Sequence, residues 1–97
     1  MDTNSNLFSV VADTDGDTIS IHVDEAALDY LISRLSRLRD GLQRGDCDHL
    51  HLMTKSWGSD DLTETMLADE RSSGHVQVHH VKVLAWTDEW ARKHSLR

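Results

Sequence analysis

The chain has 97 residues, a formal net charge of −7, 38% hydrophobic residues and 28% charged residues. This length suits one domain, residues 1–97, and the composition is typical of a globular protein rather than a disordered one. The acidic excess would repel phosphate groups, which argues against nucleic acid or an anionic membrane as a partner. The sequence also contains no apolar run near the ~20 residues that a membrane-spanning helix needs.

The beginning of the chain and its cysteine content both bear on location. Residues 1–6 are polar and contain neither a basic residue nor an apolar run, so we expect no secretory signal there. The single cysteine, Cys47, excludes an internal disulfide, which fits a reducing compartment. The sequence therefore predicts a cytoplasmic protein.

An antiparallel hairpin is predicted over about residues 7–23. Leu7 to Val11 has the composition of a strand, and Asp15-Gly16 favours a tight turn because glycine adopts positive φ without a steric penalty. The returning strand alternates strictly between apolar and polar residues. We therefore expect one face of it to be buried, namely Ile19, Ile21 and Val23.

The main helix is predicted over about residues 24–40. Asp24 can cap its first turn, and apolar residues then recur at helical spacing. This periodicity predicts one core-facing stripe, formed by Leu28, Leu31, Ile32, Leu35, Leu38 and Leu42.

The C-terminal strands are predicted over about residues 48–86, followed by a charged tail at 87–97. His49–Met53 alternates, Leu62–Leu67 has strand chemistry, and His75–Trp86 is a long β-branched run. The alternation of that run slips near His79-His80, which a β-bulge would explain. The sum is an α+β fold, in the order β-β-α-β-β-β, with an antiparallel sheet of four to five strands and one main helix on one face.

The histidines form the one cluster that suggests metal chemistry. His49 and His51 share a strand face, and His75, His79 and His80 come from another strand, so three imidazoles on neighbouring strands would suit zinc. Their spacing matches no known zinc signature. A metal-binding protein or metal-dependent enzyme therefore stays an alternative, and no cofactor is expected.

No arrangement of residues identifies an enzyme. The chain has no Gly-x-Ser-x-Gly elbow, no cysteine-centred catalytic signature and no glycine-rich phosphate loop. A binding protein is the better interpretation.

Acidic side chains around a loop tryptophan are the candidate partner-binding residues. Trp57 lies in a polar loop, where a tryptophan is either a plug of the core or an interface anchor. Acids beside an anchor would speed association with a basic partner. The candidates are Asp13, Asp15, Asp17, Trp57, Asp60, Asp61 and Glu64.

Several short segments together resemble one family. They are His49-x-His51-Leu52-Met53, Trp57-Gly58, Leu62-Thr63 and His79–Trp86, the last reading HHVKVLAW. Over roughly Ile21 to Trp86 the chain resembles a family of small immunity proteins from bacterial polymorphic toxin systems.

The resemblance implies a cytoplasmic antidote that is not an enzyme. Such a protein binds one cognate toxin domain and commonly covers its active site, and an acidic surface suits a toxin with a basic cleft. An ADP-ribosylating toxin and a nuclease both remain open, as do direct plugging of the active site and action from a distance.

Overall fold

A computed structural model describes residues 6–45 and 47–97. The expectation that no secretory signal begins the chain falls almost wholly on residues outside this part. In chain order the described elements are β1 (Phe8–Ala12), β2 (Ile19–Val23), α1 (Glu25–Gln43), β3 (Cys47–Met53), a 3-10 turn (Lys55–Trp57), α2 (Ala68–Ser72), β4 (Val76–Gln77), β5 (His80–Trp86) and α3 (Asp88–Lys93). The predicted α+β class with one main helix is confirmed. None of the described helices is long and apolar enough to cross a membrane.

The N-terminal hairpin forms as predicted. β1 and β2 pair antiparallel, with Val10 opposite Ile21. The Asp13 carboxylate accepts hydrogen bonds from the backbone N–H groups of Asp17 and Thr18, at 2.8 and 3.2 Å. Gly16 has φ +76°, the left-handed conformation that favours glycine at this turn.

The strands are divided between two sheets, with orders β2-β1-β4 and β3-β5. The chain passes from one sheet to the other at Val78 and His79. The N–H of Val78 donates to the Val10 carbonyl at 2.8 Å, whereas the His79 carbonyl accepts from Thr54 N–H at 3.0 Å. The irregularity predicted near His79-His80 is therefore present, but it is a break between two strands rather than a bulge within one.

The strand predicted at Leu62–Leu67 is wrong. Leu62 makes one isolated bridge to Thr54, and Thr63 N–H donates to the Phe8 carbonyl at 2.6 Å. Beyond Phe8 the same edge of β1 is occupied by β4, which pairs with Val11 and Ala12. The segment therefore has no free edge along which a ladder could continue, and it runs as coil into α2.

The core lies between α1 and the strands, but α1 is rotated relative to the predicted stripe. Ala27 and Leu38 are buried, and Leu31 packs against the core. On the other flank, Tyr30 and Arg34 are hydrogen-bonded to Asp61 in a loop. With Tyr30 and Arg34 held there, the opposite side of the helix faces solvent. The prediction of burial is therefore wrong for three residues of the stripe, Leu28, Ile32 and Leu35.

The buried face predicted for β2 is also only partly correct. Val23 packs against the core, but Ile19 and Ile21 are each about half exposed. The helix begins directly after β2 and covers the end of the hairpin where Phe8 and Val23 pair. It leaves the end nearer the turn uncovered.

The rotation of α1 predicts unequal effects of two leucine substitutions. Leu38→Ala should lower the free energy of unfolding by ~2–5 kcal/mol because a buried cavity forms, whereas Leu35→Ala should cost less than ~1 kcal/mol. Urea unfolding of dilute protein measures both. Equal losses would contradict the helix orientation described here.

Candidate partner-binding surface

The loop after β3 presents Trp57 to solvent. Thr54 is fully buried and begins the 3-10 turn, with its carbonyl accepting from Trp57 N–H at 3.0 Å. Gly58 ends the turn with φ +107°, a conformation that other residues rarely adopt. The turn is thus fixed at both ends, and the side chain in its middle is 58% exposed.

Trp57 is exposed but not free to move. Its ring stacks on His79 with centroids 5.7 Å apart and planes 5° apart. The His79 ring is itself held, because its Nδ1 lies 2.8 Å from the buried Thr54 hydroxyl. Of the two roles left open for this tryptophan, plug or anchor, the structure excludes the plug.

Three further histidines continue this surface across β3 and β5. The ring nitrogens Nδ1 of His51 and Nε2 of His80 are 2.7 Å apart, and His49 meets His51 edge-on at 5.0 Å. Trp57 also lies 6.3 Å from the His80 ring. The residues Trp57, His79, His80, His51 and His49 are called the Trp57 surface below.

The Trp57 surface lies on the side of the β3–β5 sheet away from the helix. Leu50 and Leu52 point to the core, and alternation places His49 and His51 on the opposite face. Burial and the neighbouring charges of His80, His49 and Lys82 lower the pKa of His51 below its usual value. The His51 ring is therefore held toward its neutral form, which suits contact with an apolar partner.

Asp61 anchors the loop from behind. Its carboxylate accepts hydrogen bonds from the Tyr30 hydroxyl, from Ser59 Oγ at 2.7 Å and from Met53 N–H at 3.1 Å, and it pairs with Arg34 at 3.5 Å. Burial alone would raise the pKa of Asp61, but the hydrogen bonds and the Arg34 charge outweigh it and lower the pKa. This predicted partner-binding acid is thus engaged within the chain.

Two of the predicted acids in and after the Trp57 loop remain exposed. Asp60 is exposed and lines a cleft with Tyr30 and Thr63. Glu64 accepts hydrogen bonds from Ser56 Oγ at 2.8 Å and lies 3.6 Å from His79 Nδ1. Glu64 is thus linked to the Trp57 loop through Ser56 and His79, and Asp60 follows Trp57 by three residues in that loop. Their part in binding stays a prediction.

The three hairpin acids are not part of this surface. Asp13, Asp15 and Asp17 lie in the turn that follows Ala12, at one end of β1. The loop containing Asp60 and Asp61 joins the other end, where Thr63 meets Phe8. β1 has five residues and rises ~3.3 Å per residue. The full length of this strand therefore lies between the hairpin acids and the loop that contains Asp60 and Asp61.

The five histidines predicted as possible metal ligands do not all lie together, because His75 and His79 are separate from His49, His51 and His80. His75 precedes β4, where its N–H donates to the Glu70 carbonyl, and His79 is engaged by Thr54 and Trp57. Across residues 6–45 and 47–97, no group of three histidine, cysteine or acidic side chains is placed to hold a metal ion.

Comparison with known proteins identifies the family. The model of Imm32, Immunity protein 32, matches residues 18–81, about two thirds of the chain. The chain belongs to the Imm32 family. The expected membership of an immunity protein family is thereby confirmed, and searches of curated proteins and of solved structures gave no match.

Membership of Imm32 indicates a toxin-neutralising role with a toxin protein as the partner, and immunity proteins are generally not enzymes. The matched segment contains the whole Trp57 surface together with Asp60, Asp61 and Glu64. It does not contain the hairpin acids Asp13, Asp15 and Asp17.

Sequence reasoning missed two kinds of residue at this surface. Tyr30 and Arg34 were not recognised as the partners of Asp61, although their i, i+4 spacing places them on one side of α1. The role of His79 as the platform for Trp57 was also missed. No local pattern signals it, because the contact joins a loop to a distant strand.

Replacing Asp61 tests whether it is structural. Asp61→Asn should lower the free energy of unfolding by ~1–3 kcal/mol, because the partners of a largely buried carboxylate lose a charged acceptor. Chemical denaturation at pH 7 measures the loss, and Asp60→Asn is the matched control, expected within ~0.5 kcal/mol of the original chain.

The effect of Asp61→Asn should also depend on pH. The folded-state pKa of Asp61 lies below the unfolded value of ~4, so its contribution is present above that value and is lost as the pH falls through the folded-state pKa. The stability difference between the original chain and the variant should therefore shrink below about pH 4. A difference that stays constant down to pH 2 would show that the charge of Asp61 is not what stabilises the loop.

Proposed function

We propose that this chain is a cytoplasmic antidote of a bacterial polymorphic toxin system, which binds one cognate toxin domain through the Trp57 surface. The observation that carries the proposal is Trp57 itself, a large apolar ring that is 58% exposed yet fixed by its stack on His79. Its position within the segment matched by the Imm32 model supports a role in the function of that family.

A fixed, exposed tryptophan is a favourable anchor. Tryptophan is enriched among the interface residues that contribute most to affinity, because it removes a large apolar area from water on binding. A flexible side chain would lose rotamer entropy on docking, but Trp57 is already ordered by His79 and by Thr54 behind it. Its free face can therefore enter an apolar recess of the toxin at little entropic cost.

The charges near Trp57 support a toxin surface that is basic around the apolar recess. Asp60 is exposed three residues after Trp57 in the same loop, Glu64 lies next to His79, and the whole chain carries a net charge of −7. Enzymes that act on nucleic acid or on dinucleotide cofactors need positive charge in their clefts, so an acidic inhibitor would be steered to the active site. We infer that the antidote covers that site, with Asp60 and Glu64 facing toxin lysines or arginines.

Co-expression with the toxin domain encoded beside this chain tests the antidote role. Rescue of bacterial growth together with a stable 1:1 toxin–antidote stoichiometry on pull-down would support it. Growth that is not rescued would contradict it, and rescue without a complex would contradict inhibition by docking.

Substitution of Trp57 tests the anchor. Trp57→Ala should weaken toxin binding by about 30-fold or more, corresponding to a truncation cost of at least ~2 kcal/mol, mainly through faster dissociation. Surface plasmon resonance with the toxin immobilised measures both rate constants. Trp90→Ala is the matched control, because Trp90 lies in α3 outside the matched segment.

Paired charge substitutions, measured in the same way, test whether Asp60 and Glu64 steer association with the toxin. Asp60→Asn with Glu64→Gln should lower the association rate and its salt dependence. The control, Asp15→Asn with Asp17→Asn, removes the same charge from the hairpin and should change both much less. If the hairpin pair has the larger effect, the interface is at the hairpin turn, where the sequence also predicted binding acids.

A further inference from the structure

α1 carries a second exposed apolar surface, separate from the Trp57 surface. Leu28, Ile32 and Leu35 are 45%, 54% and 41% exposed. At 3.6 residues per turn they lie on one side of the helix, about a quarter turn from the core-facing Ala27 and Leu38. These three residues are called the α1 stripe below.

The hairpin sheet carries two further exposed apolar residues. Ile19 and Ile21 are 54% and 53% exposed. Their register with β1 places them on the sheet face that carries Val10 and Phe8, against which α1 packs. Exposed apolar residues grouped on one face of an element are a common mark of an interaction surface.

The charges that flank the α1 stripe are complementary to those of a second copy of the same stripe. Glu25 lies seven residues before Ile32, and Arg39 lies seven residues after it. Both are exposed, and neither belongs to an ion pair within the described part of the chain. If two α1 helices cross antiparallel about Ile32, Leu28 of each faces Leu35 of the other, and Glu25 of each approaches Arg39 of the other.

We propose that the chain forms a twofold-symmetric homodimer through antiparallel contact of the α1 stripes. A twofold axis makes every contact occur twice, so one helix with an acid at one end and a base at the other is sufficient for two ion pairs. The stripe is small compared with a standard interface of ~800 Å² per partner, so the dimer dissociates on dilution.

The dimer leaves both toxin-binding surfaces free. α1 packs on the inner face of the β3–β5 sheet, whereas the Trp57 surface lies on its outer face. Two toxin domains can therefore be bound by one antidote dimer, in a 2:2 complex that keeps the 1:1 ratio. The homodimer itself does not depend on the proposed toxin binding, because it is measured on the free protein.

Light scattering coupled to size-exclusion chromatography tests the proposal on the full chain without toxin. As the loading concentration rises from ~1 µM to ~500 µM, the measured mass should rise from 11.0 kDa toward twice that value. Ile32→Asp should give the single-chain mass throughout. Leu96→Asp is the matched control, because Leu96 is 59% exposed and lies far along the chain from α1, and it should dimerise like the original.

A charge exchange tests the antiparallel arrangement without altering the apolar residues. Glu25→Arg alone and Arg39→Glu alone should each weaken the dimer, and the double variant should recover it because the pairs are re-formed with reversed sign. Far-UV circular dichroism confirms that each variant is folded.

Three results would overturn the proposal. The first is a single-chain mass for the original protein at every concentration, and the second is a dimer that Ile32→Asp does not weaken. The third is a double charge variant that dimerises no better than the single variants. If Ile32→Asp instead abolishes toxin capture by a protein that is always monomeric, the α1 stripe belongs to the toxin interface.

Discussion

The carboxylate of Asp61 joins the distant helix α1 to the end of β3 and to the loop that follows it. Tyr30 and Arg34 come from α1, Met53 ends β3, and Ser59 belongs to the loop that Asp61 itself closes. Because these groups share one acceptor, the rotation of the helix and the position of the loop are set together. The loop in turn fixes the 3-10 turn and Trp57, so the exposed anchor and the exposed α1 stripe have a common structural origin.

The acids of this small domain are used for different purposes. Asp61 is largely buried among donors and supports the loop, and Asp24 caps α1 by accepting from Ala27 N–H at 2.8 Å. Glu70 pairs with His22 across the other face of the hairpin sheet, at 2.9 Å, and the hydrogen bond from His22 lowers its pKa. Only part of the negative charge is therefore available to a partner, which is why the proposed binding acids beside Trp57 reduce to Asp60 and Glu64.

Local patterns in the sequence were sufficient for the elements that depend on local interactions. The Asp13–Asp17 turn, the Asp24 cap and the alternation of His49–Met53 each follow from neighbouring residues, and each was predicted correctly. The orientation of α1 was predicted wrongly. Helical periodicity marks Leu28, Ile32 and Leu35 as core residues, and it gives no information about the hydrogen bond between Tyr30 and Asp61. The strand prediction for Leu62–Leu67 was wrong for a similar reason. The composition of that segment favours a strand but cannot show that the edge of β1 is already occupied by β4.

The proposed binding surface draws on residues that the sequence named and on residues that it did not. Trp57 and the acids near it were named from the sequence; the structure shows the ring exposed, Asp60 exposed in the same loop and Glu64 next to His79. His49 and His51 share a strand face, as predicted, and His80 joins them from β5, whereas His75 and His79 lie outside these strands. His79 supports Trp57, and His51 and His80 extend the surface. Such contacts between a loop and distant strands require the tertiary fold and have no local signature in the sequence.

Hydrogen–deuterium exchange of the antidote, free and in complex with its cognate toxin domain, tests the central claim most directly. The account predicts that toxin slows exchange in the segment from Thr54 to Glu64 and at the His79–His80 junction. Slower exchange confined to the hairpin turn around Asp15 and Asp17, with Thr54–Glu64 unchanged, would contradict it.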